Sequence, residues 1–255
     1  MNQLYFKSGN AKLANTVTFN LPAGHTCPYA VACKSSADRV TGKVTDGPKC
    51  KFRCFSATGE ARSTALRKRV WQNLDALKAV GVHDVQAMAE LIDSELPEAG
   101  LVRMHVNGDF FTDEYFQAWC EIARRRPGHI EWVDVEGCLK PKPVGTIFYA
   151  YTKAVHVMTF TDLPSNLKLT ASHGGSQDHA IDELGLKHAK VVYSEQEALD
   201  LGLEIDHDDT HAWARDESFA LLIHGTQPAG SDAGKALSAL RKTGWTGYNK
   251  SNKKL

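Results

Sequence analysis

Four of the six cysteines in this chain of 255 residues lie close together near the N-terminus: Cys27, Cys33, Cys50 and Cys54. The pattern is Cys27-x5-Cys33, sixteen residues, then Cys50-x3-Cys54. Four thiolates suit a zinc ion or an iron–sulfur cluster. Zinc knuckles separate paired ligands by two to four residues. The second pair fits that range and the first does not, so the looser spacing favours a cluster of the 4Fe-4S kind, with zinc as the alternative. His25, two residues before Cys27, is a substitute ligand. Cys120 falls on the apolar side of a helix pattern, and Cys138 receives no role.

Polar residues gather at the ends of several apolar runs. MHVNGDFF brings His105, Asn107, Gly108 and Asp109 together. A glycine there lets backbone approach a ligand closely. Asp109 is a candidate acid, base or acceptor for an amine or a ribose; its plainer reading is that it shapes a turn. His105 belongs to the same catalytic group. FYAYTK ends on Lys153, which can anchor a carboxylate, a phosphate or a carbonyl oxygen. LKLTASHGG ends on Ser172 and Gly174, candidate cofactor contacts. IDHDDTHAW places His207, Asp208, Asp209 and His211 in five positions, which reads better as a solvated acidic loop than as a second metal site. His224 and Gly225 end a further apolar run, with a glycine-rich loop and a helix after them.

The elements that must position these groups alternate. Residues 1–59 have little periodic structure and are rich in Gly, Pro, Ser, Thr and Cys, so a metal is expected to hold them against the rest. Helical spacing predicts one helix through GEARSTALRKRVWQNLDALKAVG and another over Val85–Leu96, stopped by Pro97. LVRMHVN predicts a strand and DEYFQAWCEIARRR a helix, with Asp113 as a possible cap. TIFYAYT, LKLTAS, AKVVYS and FALLIHG predict further strands, the last two followed by helices. A Gly/Pro-rich insertion spans about 127–145 and includes IEWVDV as a short strand. Repeated strand–helix units imply a mostly parallel sheet. The expected fold is α/β, a full or partial β/α barrel over about 60–245. The cysteine-rich segment precedes it, residues 246–255 form a basic tail, and a doubly wound open sheet is the alternative. Both folds put ligands at the C-terminal ends of the strands.

Thirty basic residues balance thirty acidic ones, so bulk charge selects no nucleic-acid partner. No apolar run is long enough to span a membrane, and the N-terminus lacks a secretory pattern. Unpaired cysteines and these absences lead to the expectation of a cytoplasmic protein.

TCPYAVAC, CKFRCFSA, RMHVNGDFF and FYAYTK together resemble the gene product 88 family of phage and mobile-element proteins, over roughly residues 20–175. A phage origin would imply the host cytoplasm. The order of features is more distantly similar to radical S-adenosylmethionine enzymes: a cysteine loop, a Gly-acidic strand end, and a β/α partial barrel. That similarity implies cluster ligation by Cys50 and Cys54. It puts Gly108 and Asp109 near the amino group of S-adenosylmethionine, and Ser172 at the fourth strand. The radical enzymes' loop is Cys-x3-Cys-x2-Cys, and its third position here is Ala57. Either Cys27 or Cys33 must then complete the trio. If all four cysteines bind, no iron is left open for S-adenosylmethionine.

Three functions follow as expectations. The first is an iron–sulfur enzyme acting on a nucleotide, nucleic acid or small metabolite. The second is a zinc-stapled enzyme modifying nucleic-acid bases. The third is a metal-stabilised nucleic-acid-binding protein, for which Arg62, Arg67, Lys68, Arg69 and the run Arg124 to Arg126 supply basic character.

Overall fold

The computed structural model describes residues 3–9, 13, 15–245 and 247–248. The N-terminal part contains β1 (Phe6–Ser8), β2 (Thr16–Phe19), β3 (Ser35–Ala37) and β4 (Val44–Asp46). Three helices follow: α1 (Phe55–Arg62), α2 (Thr64–Val80) and α3 (Val85–Glu95). Then come β5 (Leu101–Met104), α4 (Asp113–Arg125), the hairpin β6 (Gly128–Val135) and β7 (Cys138–Gly145), and β8 (Ile147–Thr152). The remainder is β9 (Leu167–Ser172), α5 (Asp178–Glu183), β10 (His188–Val192), α6 (Glu195–Asp200), β11 (Glu204–Ile205), α7 (Thr210–Ala214), β12 (Phe219–Leu222) and α8 (Asp232–Lys242).

Eight strands form one sheet in the order β1-β2-β5-β8-β9-β10-β12-β11. Only β1 and β2 pair antiparallel; every other neighbouring pair is parallel. From β2 to β10 each new strand of the sheet joins on the same side; β11 lies beyond β12, so β12 enters between β10 and β11. Among the described residues no pairing joins β1 to β11. The architecture is therefore mixed α/β around a mostly parallel sheet with two free edges.

Alternation along the strands explains why both faces are apolar. Val102 and Met104 of β5, with Phe148 and Ala150 of β8, pack among residues of α2, α3 and α4. Their sequence neighbours Leu101, Ile147 and Tyr149 face the other way, against Phe219 and Trp213 of α7. Val192, Ala220 and Leu222 pack against α6 and α8. Helices α2, α3, α4, α6 and α8 thus cover one face, and α7 packs on the other. The other face, at its C-terminal end, is left for the cysteine segment.

The structure departs from the sequence reading at several places. The long helix after Cys54 is two helices, broken at Ser63 (φ −119°, ψ 101°). Serine competes for backbone donors, and here its Oγ caps α2 by accepting from Leu66 N at 3.1 Å. Thr112, not Asp113, caps α4, accepting from Tyr115 N at 3.1 Å. The insertion is a regular antiparallel hairpin of eight residues a side. Residues 1–59 contribute β1 and β2 to the main sheet, because TVTF is buried along its whole length and pairs with β5. Most of the expected tail at 246–255 lies outside the described residues. No helix among them is long and apolar enough to cross a membrane.

Ser63→Ala removes the α2 cap and is expected to destabilise the chain by about 1 kcal/mol, read as a lower urea midpoint at unchanged slope. An unaltered midpoint would mean that the break owes nothing to the serine.

Candidate functional site

The ends of β2 and β5 are fastened first. His105 N donates to Phe19 O at 2.9 Å, and Leu21 N to Asn107 O at 2.9 Å. Asn20 Oδ1 accepts from Val106 N and Asn107 N, both at 3.0 Å. Two contacts then bring in α1. Ser56 Oγ donates to Val106 O at 2.7 Å. Glu60 Oε1 accepts from Ala23 N and Asn107 Nδ2, both at 2.9 Å. Cys54, at the start of α1, is thereby held over the end of β5.

The other cysteine loop docks on β9. Val31 N and Ala32 N donate to Gly174 O at 3.0 and 2.8 Å, and Ala30 bridges Gly175. Lys34 Nζ closes the loop on itself through Gly24 O and Cys27 O at 2.8 and 2.7 Å.

These fastenings enclose a cavity of about 160 Å³ lined by Cys27, Cys33 and Cys54. From the sheet it is lined by Arg103, His105, Gly108, Asp109, Tyr151, Lys153 and Ser172. Cys50 is not in the lining: its thiol donates to Phe52 O at 3.2 Å and lies 3.6 Å from Ser35 Oγ. Ser35 Oγ also accepts from Cys54 N at 3.3 Å, so Cys50 supports the loop that carries Cys54. Gly174 is outside the lining too. Its φ of +98° and the 2.9 Å between a hypothetical Cβ and Ala32 Cβ show that its smallness serves the docking of the cysteine loop.

Among the described residues, no group of three or more His, Cys, Asp or Glu forms a ligand set for a single metal ion. Thiolates on one tetrahedral zinc would stand about 3.8 Å apart, given Zn–S bonds of about 2.3 Å. A multi-iron cluster spreads its thiolates further, since each binds a different iron.

Burial drives the Cys27 thiol well above its usual pKa, and Asp109 and Cys54 push it the same way. Burial and Cys33 raise Cys54 to about 11, although the N–H groups of Ala57 and Ser56 at the start of α1 pull it down. Such thiols are protonated at pH 7 and become thiolates when a cation takes the proton's place.

The sheet residues are also engaged within the protein. Asp109 is buried, and its Oδ1 accepts from Thr152 Oγ1 at 2.6 Å and Phe110 N at 2.8 Å. Its Oδ2 accepts from Lys153 N at 2.8 Å. Desolvation nonetheless raises its pKa. Gly108 (φ +88°) makes room for protein: a Cβ there would meet Thr26 Oγ1 at 2.7 Å and Leu21 Cβ at 2.8 Å. Lys153 Nζ donates to Ser172 O, Ser172 Oγ and His173 O at 2.9, 2.7 and 2.7 Å. All three ammonium protons are used, so Lys153 ties β8 to β9. His105 takes φ +69°, and its Nε2 lies 2.9 Å from the Tyr115 hydroxyl. Burial, then Arg103, lowers its pKa to about 3, so the ring is neutral and is no cationic acid at pH 7. Its Nδ1 is buried with no hydrogen-bond partner among the described residues.

Arg103, which sequence reading passed over, pairs with Asp209 at 2.5 Å and lies 4.7 Å over the Tyr151 ring. Its Nε is buried with no hydrogen-bond partner among the described residues. The IDHDDTHAW segment is correspondingly not a solvated loop. Asp206 and Asp209 are buried, while His207 and Asp208 are exposed. Asp209 also accepts from Tyr149 and Tyr151 at 3.3 and 3.2 Å. The basic helix is engaged as well. Arg67 is buried and donates to Glu60 O at 2.6 Å and Arg39 O at 3.1 Å. Arg124 and Arg126 pair with Glu121 and Asp93.

Gly108→Ala should lower the unfolding free energy by about 2 kcal/mol or more, through a positive φ and the clash with Leu21 and Thr26. An unchanged denaturant midpoint would contradict this packing. A pH effect is expected at His211, whose Nδ1 lies 3.0 Å from Asp206 Oδ1 and Nε2 3.2 Å from Glu204 Oε2. The Asp206 hydrogen bond, and after it that of Glu204, raises the pKa above 6.5 against burial. The folded state then holds the proton more tightly. The stabilisation is full below about pH 6.5 and is lost as pH rises through the raised value. Relative to His211→Gln, the native chain should lose stability across that window; parallel stability curves would contradict it.

No curated protein and no solved structure is significantly similar to the chain. The family model described as Gene product 88 matches residues 3–133 and 136–242. The match runs through the cysteine loops, the strand ends and α8, and the chain belongs to the gene product 88 family.

Proposed function

We propose that Cys27, Cys33 and Cys54 hold an iron–sulfur cluster, and that the chain is a radical S-adenosylmethionine-like enzyme acting on a nucleotide, a nucleic acid or a small metabolite. The observation that carries this reading is the shared cavity. Three thiols from two loops line it together with the strand ends of β5, β8 and β9, and the fourth thiol is turned out of it. Three protein ligands on a four-iron cluster leave one iron free for a substrate atom.

The donor set fits such a group. Gly24 N donates to Cys27 Sγ at 3.3 Å, and amides at the start of α1 face Cys54. N–H groups aimed at sulfur stabilise the charge of a bound cluster and tune its potential. When bound, the cluster supplies an electron to S-adenosylmethionine. Asp109 has acceptor capacity left on Oδ2, which takes one hydrogen bond of the two that an oxygen can accept. That capacity suits the ammonium of S-adenosylmethionine. His105 Nδ1 and Arg103 Nε are buried atoms of lining residues with no hydrogen-bond partner among the described residues. The neutral His105 ring orients a ligand without exchanging charge with it. The one-directional winding of β2, β5, β8, β9 and β10 accords with a partial barrel, whose C-terminal mouth would be this cavity.

Single cysteine variants, reconstituted anaerobically and assayed for iron and acid-labile sulfide per chain, test the ligand set. Cys27→Ala, Cys33→Ala and Cys54→Ala should each lose most of the iron, and Cys50→Ala should keep it, with circular dichroism confirming the fold of all four. Equal loss from all four, or one tight zinc and no iron, would replace this reading with a structural four-cysteine site.

A further inference from the structure

A second, larger cavity opens beside the first. It has a volume of about 540 Å³, within the range of small-molecule sites. The two share Phe55, Arg103, Val106, Tyr151, Leu221 and His224 along their boundary. A molecule in the outer basin would therefore lie directly against whatever fills the cysteine cavity.

The rim of the basin carries Arg62, from the last turn of α1, and Arg241, from the last turn of α8. Both are exposed, and neither side chain has a hydrogen-bond, acidic or aromatic partner among the described residues. That sets them apart from every other arginine in the chain. Arg39, Arg53, Arg103, Arg124, Arg125, Arg126 and Arg215 pair with carboxylates. Arg67 is spent on backbone carbonyls, and Arg69 lies over the Tyr5 ring. The two uncommitted arginines come from distant parts of the sequence and line one opening. On the floor Asp209 balances Arg103, so the rim arginines leave the basin net positive.

The wall between the cavities supplies a flat apolar surface. Phe55 is 36% exposed, unusual for an aromatic ring at the heart of a fold. It is held in place by the His224 ring, 4.6 Å away, and by Gly225. Gly225 has φ +80°, and a Cβ there would come within 2.8 Å of Phe55 Cβ. A fixed, exposed ring beside free guanidiniums matches a ligand with a planar apolar part and an anionic part.

We propose that this outer basin is a nucleotide site, with the phosphate on Arg62 and Arg241 and the base against Phe55. The nucleotide is either free or at a single-stranded segment. This names the substrate of the site proposed above and rests on that reading for its role, but not for its binding.

Titration calorimetry on the full chain tests it, run separately with cluster-loaded and cluster-free protein. The probes are the ribo- and deoxyribonucleoside 5′-monophosphates, the matching nucleosides, and a short single strand of mixed sequence. At least one nucleotide or the strand should bind. Removing the phosphate should weaken binding roughly tenfold or more. In the double variant R62Q/R241Q the same weakening should appear, and phosphate removal should then cost nothing further. Binding of a monophosphate assigns a free nucleotide; binding of the strand alone assigns a strand. The proposal is overturned if neither binds to either form of the protein. It is also overturned if nucleosides bind as tightly as nucleotides, or if the double variant binds like the native chain. Iron content is not part of this readout, so nucleotide binding by a chain that takes up no iron would sink the cluster reading alone.

Discussion

The Asp109 carboxylate is the junction on which the site's geometry depends. It is buried with three donors around it, from Phe110 in its own turn and from Thr152 and Lys153 at the end of β8. A carboxylate in that position costs desolvation energy, visible in its raised pKa, and the three hydrogen bonds offset part of that cost. It fixes the end of β5 to the end of β8 in the cavity that Cys27 also lines. Lys153, whose backbone N–H serves Asp109, uses its side chain to bind β9, and β9 in turn receives the Cys27–Cys33 loop through Gly174. One chain of contacts therefore runs from the sheet to the cysteines of that loop.

A second chain of contacts holds Cys54. Asn20, Asn107, Glu60 and Ser56 link β2, β5 and α1 through buried hydrogen bonds. One Glu60 oxygen has no hydrogen-bond partner among the described residues, and desolvation raises its pKa to about 7. The two chains position thiols that are costly to ionise without a cation.

Much of the fold could be read from apolar periodicity. The strands at LVRM, TIFYAYT, LKLTAS, AKVVYS and FALLIHG, and the helices that follow several of them, rest on local patterns. β2 was missed because TVTF is four residues long, sits between glycine- and proline-rich stretches, and owes its strand form to pairing with β5. The break at Ser63 was hidden because helical spacing of apolar residues continues across it. At the site, the chemical types and the strand-end positions were legible, but their roles were not. Nothing in the spacing of Cys50 and Cys54 reveals that Ser35 and the Phe52 carbonyl draw Cys50 aside. Lysine at a strand end reads as a ligand anchor until Ser172 and His173 are seen to occupy all its protons. Arg103 gains its importance only from Asp209, far away in sequence, and the acidic loop gains its burial from the same pair.

The gene product 88 family match spans the elements that build both cavities. The central claim is that one iron of a cluster lacks a protein ligand, and Mössbauer spectroscopy of chain reconstituted with iron-57 addresses it most directly. The account predicts spectra of a four-iron cluster in which one iron site shifts on addition of S-adenosylmethionine while the other three stay unchanged. A cluster whose four iron sites are all indifferent to S-adenosylmethionine, or a protein that takes up no iron, would contradict it.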